Sequence, residues 1–428
     1  MTQVTQRELM PGVRLTAVQT HKFKSNQLSV TLLAPLAAET ASANALLPYV
    51  LRRGTRAHPD LESLSAALDE LYGGSIEPAV RKKGEAQCLG FVASFLDDAY
   101  APEGAGILEG AARLLGDLLL RPVTEDGGFR KEYVEGERSN LVDRIQAQVN
   151  EKRSYSLLRL TQEMCAGEPY GVDRLGDEES AAAVTAEGLW ERYQALLAQA
   201  PVELYYCGSA DADRVAAALT AALDGLPRAE ELDEPDHGVQ GNATRDQPRL
   251  VTEAMDVTQG KLALGFRTGG ACVWEDDYPA LLVFNALYGG TPTSKLFLNV
   301  REKLSLCYFA SSSLEKFKGV MVVSSGIEFG NYEKAKAEIL AQLDNCRAGA
   351  FEDWELEGAR RAVVSALRSA MDAQGRLEDY WLGQAVAGLA EPPQDLVDRV
   401  EAVTRAQVTA VAQKMELDTI YFLKGKED

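Results

Sequence analysis

Residues 289–308 read GGTPTSKLFLNVREKLSLCY, a stretch that joins a helix end, a second helix and the start of a strand. It follows the apolar run Pro279–Tyr288, which suits a buried helix, and its two glycines end that run. The letters TPTS then predict a helix over Thr293–Leu304, with a capping threonine and a proline at its start. Four apolar side chains fall on one face of this helix: Leu296, Phe297, Val300 and Leu304.

Two side chains of the same stretch carry groups that bind peptides. Arg301 falls near the end of the predicted helix, and Tyr308 begins an extended run that continues to Ser313. A guanidinium and a phenol at one helix-to-strand junction both reach a peptide carbonyl or carboxylate. The plainer alternative is a surface arginine in an ion pair beside a half-buried tyrosine.

The order of motifs resembles the C-terminal half of pitrilysin-type zinc peptidases, the family of insulin-degrading enzyme and mitochondrial processing peptidase. The resemblance lies in the glycine pair at 289–290, the letters SKLF at 294–297 and the letters REKLSLCY at 301–308. In that family the arginine and tyrosine of the last motif bind substrate and stabilise the tetrahedral intermediate. The resemblance therefore implies that Arg301 and Tyr308 are substrate-binding residues.

Composition and charge narrow the class of protein. The chain has 428 residues, which predicts two domains, and its 46% hydrophobic and 25% charged residues are typical of a globular protein. The formal charge of -20 argues against nucleic acid or an anionic membrane as a partner, because both would be repelled.

The N-terminal sequence and the cysteines indicate a compartment. The first residues, MTQVTQRE, are polar, and no apolar run approaches the roughly 20 residues of a membrane span, which predicts a cytoplasmic protein. The six cysteines form no C-x-x-C pattern, and we expect them to be buried, reduced thiols. They are Cys88, Cys165, Cys207, Cys272, Cys307 and Cys346.

The predicted elements repeat in the two halves of the chain. The first half has a turn followed by a strand within 9–18 and a strand at 27–34, which are expected to pair antiparallel. Helices at 40–52 and 60–71, a hairpin at 75–95 and helices at 104–120 and 129–164 follow. A helix at 186–198 capped by Thr185, a strand at 202–208 and a helix at 211–223 end this half. The second half has strands at 250–255 and 260–267, helices at 278–288 and 293–304, a hairpin at 308–326 and helices at 332–346 and 354–371.

This repetition predicts an α+β fold with two homologous halves, each a mostly antiparallel sheet with helices packed on one face. Pitrilysin-type halves have the same architecture. We expect an N-terminal domain at 1–226 with a degenerate zinc motif, an acidic linker at 227–248, and a C-terminal domain at 249–428 with the Arg/Tyr pair.

The family's zinc motif, H-x-x-E-H, belongs on the first helix of the first half. The letters RGT at 53–55 match the marker that follows the motif and align it with ALLPY at 45–49. Ala45 and Tyr49 then stand at the two histidine positions, Pro48 at the glutamate position, and Arg144 at the third ligand position. All these positions are degenerate, so we expect no zinc or other cofactor in this chain.

The rest of the sequence contains no pattern that predicts another catalytic site. The histidines, His21, His58 and His237, lie far apart in the sequence, and there is no G-x-S-x-G elbow or P-loop. Glu137, which matches a glutamate of the family, is expected on a solvated, charged helix face. No residue of this chain is therefore predicted to be catalytic by itself.

This chain lacks the zinc motif but keeps Arg301 and Tyr308. In this it resembles one subunit of the bacterial heterodimeric pitrilysin-type peptidases. There, one chain carries H-x-x-E-H and zinc, and the other supplies the arginine and tyrosine. The resemblance implies a non-catalytic, substrate-binding subunit with an H-x-x-E-H partner chain and a peptide substrate. The letters NEKRSY at 150–155 and PYG at 169–171 resemble the subgroup associated with aminopentanone modification of elongation factor P.

Three functions stay open at this point. The first is the subunit role, in which the isolated chain can form a homodimer. The second is a peptide-binding or structural scaffold with no hydrolytic role, and the third is a peptidase that acts alone through an unrecognised site. The first predicts a zinc-containing partner, the second predicts that Arg301 and Tyr308 are dispensable, and the third requires bound metal in this chain.

Overall fold

The computed structural model describes residues 2–426. The elements of the first half are β1 (Gln3–Met10), β2 (Val13–Gln19), β3 (Ser25–Pro35), α1 (Ala38–Leu51), α2 (Leu61–Glu70), β4 (Ser75–Lys83), β5 (Ala86–Leu96), α3 (Ile107–Leu120), β6 (Thr124–Glu125), β7 (Gly128–Phe129), α4 (Lys131–Ala147), α5 (Lys152–Met164), α6 (Glu178–Ala183), α7 (Ala186–Gln199), β8 (Val202–Gly208) and α8 (Ala212–Ala222). The predicted element types of this half are confirmed, except for the single helix expected over 129–164, which the structure divides into α4 and α5.

The second half follows the same plan. Its elements are β9 (Arg249–Met255), β10 (Gly260–Arg267), α9 (Tyr278–Asn285), two π-helical segments (Ala286–Gly290 and Leu296–Lys303), β11 (Cys307–Glu315), β12 (Val320–Ile327), α10 (Tyr332–Arg347), α11 (Asp353–Ala370), α12 (Gln374–Val386), α13 (Pro393–Glu401), α14 (Arg405–Lys414) and β13 (Glu416–Gly425). No helix of residues 2–426 has both the length and the apolar composition to cross a membrane.

Local sequence explains where many of these helices begin. The Asp60 carboxylate accepts a hydrogen bond from the Ser63 amide at 2.8 Å, and the two residues form a capping box that starts α2. The Thr185 hydroxyl accepts from the Gly188 amide at 3.0 Å and starts α7, as predicted. Capping of this kind needs only neighbouring residues, so these helix starts are readable from the sequence.

Each half contributes one mostly antiparallel sheet. The first has the strand order β1-β2-β8-β3-β5-β4, and the second has the order β11-β12-β10-β13-β9. The expected antiparallel pairing of the strands at 9–18 and 27–34 is wrong, because β8 lies between β2 and β3. The last strand, β13, was not predicted; it lies between β9 and β10 and pairs with β9 in parallel.

The chain divides into two compact units, each built around one sheet. The first unit runs to Gln146 and also takes Val172–Asp236 and Asp372–Ala390; the second takes Ala147–Gly171, His237–Met371 and the chain from Glu391. The boundary between residues 236 and 237 falls inside the stretch expected to be a linker. The segments 147–171 and 372–390, however, belong to the unit formed mainly by the opposite half.

In the first unit, the helices of the N-terminal half cover one face of the sheet. Leu28, Val30 and Leu32 of β3 point to this main core, whereas Leu33 points to the opposite face. There Leu33 packs with Leu382 of α12 in a smaller cluster. An ion pair at 2.7 Å between Arg81 of β4 and Glu378 of α12 fixes the helix to the sheet.

The second unit holds α5 in the corresponding way. Leu160 of α5 is fully buried against Ala263, Tyr421 and Leu423 of the sheet. Burial of such a leucine contributes about 1.5–3 kcal/mol. The single long helix predicted over 129–164 is therefore wrong: it is interrupted after α4, and Glu151 caps the start of α5 through the Ser154 amide at 2.7 Å.

Candidate functional site

The helix that carries Arg301 is a π-helical segment, Leu296–Lys303. It begins later than the predicted Thr293, because the Thr291 hydroxyl donates back to the Ala286 carbonyl at 3.1 Å and so closes the preceding helix. The i→i+5 hydrogen bonds widen the turn, and Leu304, expected on the apolar face, is 43% exposed. Such π-helical turns are frequent at functional sites.

Buried contacts hold this segment in place. Leu296 and Val300 are fully buried, as predicted. The Lys295 ammonium, itself mostly buried, donates to the Glu355 carboxylate of α11 at 2.8 Å. Gly289 allows the preceding π-helical segment to approach β11 closely, because a Cβ there would lie 2.7 Å from the Ser312 nitrogen. Arg301 is thus carried by a rigid element.

A β-bulge directs Tyr308. In the pairing of β11 with β12, Cys307 lies opposite Ile327 and Phe309 lies opposite Gly326, so Tyr308 is the extra residue. Bulges bend a strand and re-aim a side chain. Tyr308 is 58% exposed on an edge strand, which is unusual for a tyrosine within a sheet.

Arg301 and Tyr308 line the same depression in the second unit. It is open to solvent and has a volume of about 360 Å³. Its other lining residues are Glu302, Ser305, Leu306, Cys307, Glu328 and Asn331. The sequence did not indicate Glu328 and Asn331, which reach the depression only because β12 pairs with β11 in this register.

The polar groups of Arg301 and Tyr308 are available to a ligand. The guanidinium lies 4.7 Å from the Phe297 ring centroid and 3.6 Å from the Glu302 carboxylate, and its side chain is 42% exposed. Within residues 2–426, neither the guanidinium nor the Tyr308 hydroxyl makes a hydrogen bond shorter than 3.5 Å to another residue. The site therefore presents several unused N–H donors and one O–H donor.

The thiol in the depression is not activated. Burial raises the pKa of Cys307, and this effect outweighs the Ser325 hydrogen bond and the nearby Arg301 charge, which lower it. A thiol with a raised pKa is a poor nucleophile at neutral pH. Five of the six cysteines are buried, as expected, whereas Cys307 is half-buried; all six are free thiols.

The residues matched to the zinc motif lie in the first unit, on α1 and α4. Ala45 is fully buried, Pro48 is buried inside α1, and Tyr49 is partly exposed. The Arg144 guanidinium lies 3.8 Å from the Tyr49 ring centroid, a cation–π contact. The structure therefore brings together the residues matched to two ligand positions, one on each helix.

Glu137 completes this cluster, and the expected solvated position is wrong. It is 8% exposed, and its carboxylate pairs with Arg53 at 3.2 Å and with Arg144 at 3.6 Å. The i,i+7 spacing of Glu137 and Arg144 places both on the side of α4 that faces α1. An arginine carries its own positive charge and donates only, so these residues do not fit a zinc ion. No group of three His, Cys, Asp or Glu side chains suited to a metal occurs in residues 2–426.

Known proteins similar to this chain are described as inactive members of a peptidase family. The family model described as the Peptidase M16 inactive domain matches residues 183–363, which include Arg301 and Tyr308. The probable inactive metalloprotease YmfF of Bacillus subtilis is 37% identical over 416 residues, 97% of this chain and 96% of that protein. The chain belongs to the M16 peptidase family.

Solved structures that resemble this M16 protein cover nearly its whole chain. A conserved protein from Enterococcus faecalis has a TM-score of 0.90 and 29% identity over 99% of both chains. A peptidase M16 inactive domain from Pseudomonas fluorescens has a TM-score of 0.78 over 99% of this chain and 98% of that chain, and at 16% identity it shows the fold alone. The α+β fold with two homologous halves is confirmed. Membership of the subgroup linked to elongation factor P stays a prediction.

The positions matched to zinc ligands lead to a testable prediction. The triple variant Ala45→His, Tyr49→His, Arg144→Glu is expected to bind about one zinc ion per chain, because it restores two imidazoles and a carboxylate. The double variant Ala45→His, Tyr49→His is expected to bind none, since Arg144 leaves a positive charge beside residue 49. Elemental analysis after dialysis measures both, and circular dichroism checks folding. Equal zinc content in the two folded variants would contradict the match of Arg144 to the third zinc-ligand position.

Proposed function

We propose that this M16 protein is the non-catalytic, substrate-binding subunit of a heterodimeric zinc peptidase that acts on peptides in the cytoplasm. The observation that carries the proposal is the depression in the second unit, which Arg301 and Tyr308 both line with polar groups that make no internal hydrogen bond within residues 2–426. A structural role for these residues would instead predict internal hydrogen bonds or burial.

The chemistry of the two donors supports a role in a reaction at a carbonyl carbon. Hydrolysis of a peptide bond places negative charge on the carbonyl oxygen in the transition state. A guanidinium N–H and a phenol O–H aimed at that oxygen stabilise the charge, as oxyanion-hole donors do. The partner chain, with its H-x-x-E-H motif, would supply zinc and the attacking water.

The first unit supports the proposal that zinc belongs to the partner chain and not to this chain. Tyr49 and Arg144 stack on each other at the positions matched to zinc ligands, and Glu137 is held by two arginines. Pro48 stands at the position matched to the glutamate of H-x-x-E-H. It has no ionisable group and cannot act as the general base that activates a metal-bound water. The chain therefore needs a second subunit for hydrolysis, and inactive M16 relatives are consistent with such a partner.

Affinity purification from the native source tests the proposal. We expect an H-x-x-E-H chain to co-purify and the complex to cleave unfolded casein, with activity that a zinc chelator removes. The matched control is the purified chain alone, which is expected to be inactive and can form a homodimer. Recovery of an inert chain with no protease partner would favour the scaffold function instead.

A further inference from the structure

Helix α12 covers a buried carboxyl group on the first sheet. Glu203 lies on β8, between β2 and β3, and is 6% exposed. It lines a small cavity together with Trp381 and Leu382 of α12, so its side chain lies on the face of the sheet that this helix covers. An ionised carboxylate in such a place loses most of its hydration, which costs free energy unless protein groups replace the water.

Arg14 of β2 supplies positive charge to this carboxyl group. Its Nε donates to Oε1 of Glu203 at 2.7 Å, but half of the arginine side chain is exposed, so solvent and salt weaken the attraction. Within the described chain, residues 2–426, Oε2 of Glu203 accepts no hydrogen bond. The same guanidinium donates to the Ala385 carbonyl of α12 at 3.4 Å. An ionised Glu203 is therefore compensated at one oxygen only.

The cavity beside Glu203 gives a carboxylate little further stabilisation. Its volume is about 10 Å³, which leaves room for about one water molecule. The Tyr205 hydroxyl and the Trp381 indole N–H both line it, and among the described residues 2–426 neither donates to the Glu203 carboxylate. The Ser29 hydroxyl donates to Glu378 of α12 instead, at 3.0 Å. Burial of Glu203 is thus only partly offset by hydrogen bonds.

The other charged groups nearby do not reverse the effect of burial. Glu378 is itself buried and pairs with Arg81 of β4 at 2.7 Å. Among the described lining residues, β3 contributes an uncharged serine. Burial raises the pKa of Glu203 to about 7; Arg14 opposes this shift, and the exposed Glu234 adds to it. The carboxyl group therefore changes its charge near neutral pH.

We propose that Glu203 makes the docking of α12 on the first sheet sensitive to pH, so that the helix is held more firmly when this carboxyl group is protonated than when it is ionised. Local opening of α12 exposes Glu203 to water, which stabilises a carboxylate better than the closed cavity does. Ionisation therefore favours the open state. The inference concerns the first unit and does not depend on the proposed subunit role.

The pH range follows from the two pKa values of Glu203, about 7 when α12 is docked and the ordinary 4.5 when it is open. Below the lower value the carboxyl group is protonated in both states, and its contribution to docking is fully present. That contribution is lost as pH rises through the higher value, because opening then releases a proton. Between pH 6 and pH 8 the opening equilibrium should rise about tenfold.

Hydrogen–deuterium exchange of the full chain at pH 6 and pH 8 tests the inference. In peptides that cover residues 374–386, the exchange rate divided by the intrinsic chemical rate measures the opening equilibrium. We expect the tenfold rise in the native chain and a change within about twofold in Glu203→Gln, which keeps the shape of the side chain but cannot ionise. Helix α7, on the opposite face of the sheet, is the internal control.

Two further variants sharpen the test. Arg14→Gln removes the cation that favours the ionised form, so the pKa of Glu203 should rise and the change between pH 6 and pH 8 should exceed tenfold. Glu191→Gln removes an exposed carboxylate from α7 and is the matched control, in which the tenfold rise should remain. The two substitutions next to the cavity are thus expected to act in opposite directions.

Each outcome decides for or against the inference. The same pH dependence in the native chain and in Glu203→Gln would overturn it. Infrared difference spectra of the native chain against that variant follow the protonated carboxyl band directly, and titration of Glu203 at an ordinary carboxyl pKa would also overturn it. Should Glu203→Gln not fold, Arg14→Gln decides, because an unchanged rise in that variant contradicts the inference. The proposed subunit role is tested separately by co-purification and chelator-sensitive cleavage.

Discussion

Arg301→Ala and Tyr308→Phe are each expected to lower the kcat/KM of the proposed heterodimer for a peptide by about 10²–10³-fold. Loss of one donor to an oxyanion has an effect of this size, because the donor acts on charge that develops in the transition state. Both side chains are exposed in the depression and contribute no buried hydrogen bond, so folding should be unaffected. Steady-state cleavage of a quenched fluorescent peptide measures the effect.

Matched variants distinguish a role in the reaction from a general charge effect. Lys303→Ala removes a positive charge from the same π-helical segment but does not line the depression, so kcat/KM should stay within about twofold. Arg301→Lys keeps the charge and loses the planar fork, so it should recover only part of the activity. Full activity of Arg301→Ala in an intact heterodimer would assign the pair to the surface and support the scaffold function.

Glu168→Gln is expected to lower the free energy of unfolding by about 3–5 kcal/mol, since it removes one partner of a buried ion-pair network. Arg267 is fully buried and donates to the Glu168 carboxylate at 2.6 Å, and the mostly buried Lys318 lies 2.7 Å from the same carboxylate. Asp418 pairs with Arg267 at 3.1 Å but not with Lys318 at ion-pair distance. Urea unfolding followed by circular dichroism measures the change.

The same network has a defined pH dependence. Burial raises the pKa of Glu168, but hydrogen bonds from Arg267 and Lys318 outweigh burial, so its pKa lies below the ordinary value. A lowered pKa means that the stabilisation is present above the unfolded-state pKa and is lost as pH falls through the folded-state pKa. The variant should therefore lack part of the acid destabilisation of the native protein. Glu357→Gln, which breaks exposed pairs on α11, is the control and should cost less than about 1 kcal/mol.

The break between α4 and α5 depends on contacts between residues that are distant in the sequence. Residues 129–164 have helical composition throughout, and the interruption after α4 has no proline to signal it. What separates the two helices is the packing of Leu160 on the second sheet and the attachment of the following loop to Arg267. Those contacts join residues about 100 positions apart, as the Glu168–Arg267 pair shows.

The order and type of most elements and the duplication are contained in the linear sequence, because capping and periodicity act between near neighbours. The tertiary structure alone inserted β8 and β13 into the sheets, exchanged α5 and α12 between the units, and buried Glu137 between two arginines. It also shaped the π-helical segment and the bulge that bring Arg301 and Tyr308 to one depression. Each of these features depends on strand register or side-chain packing between distant segments, which no local pattern encodes.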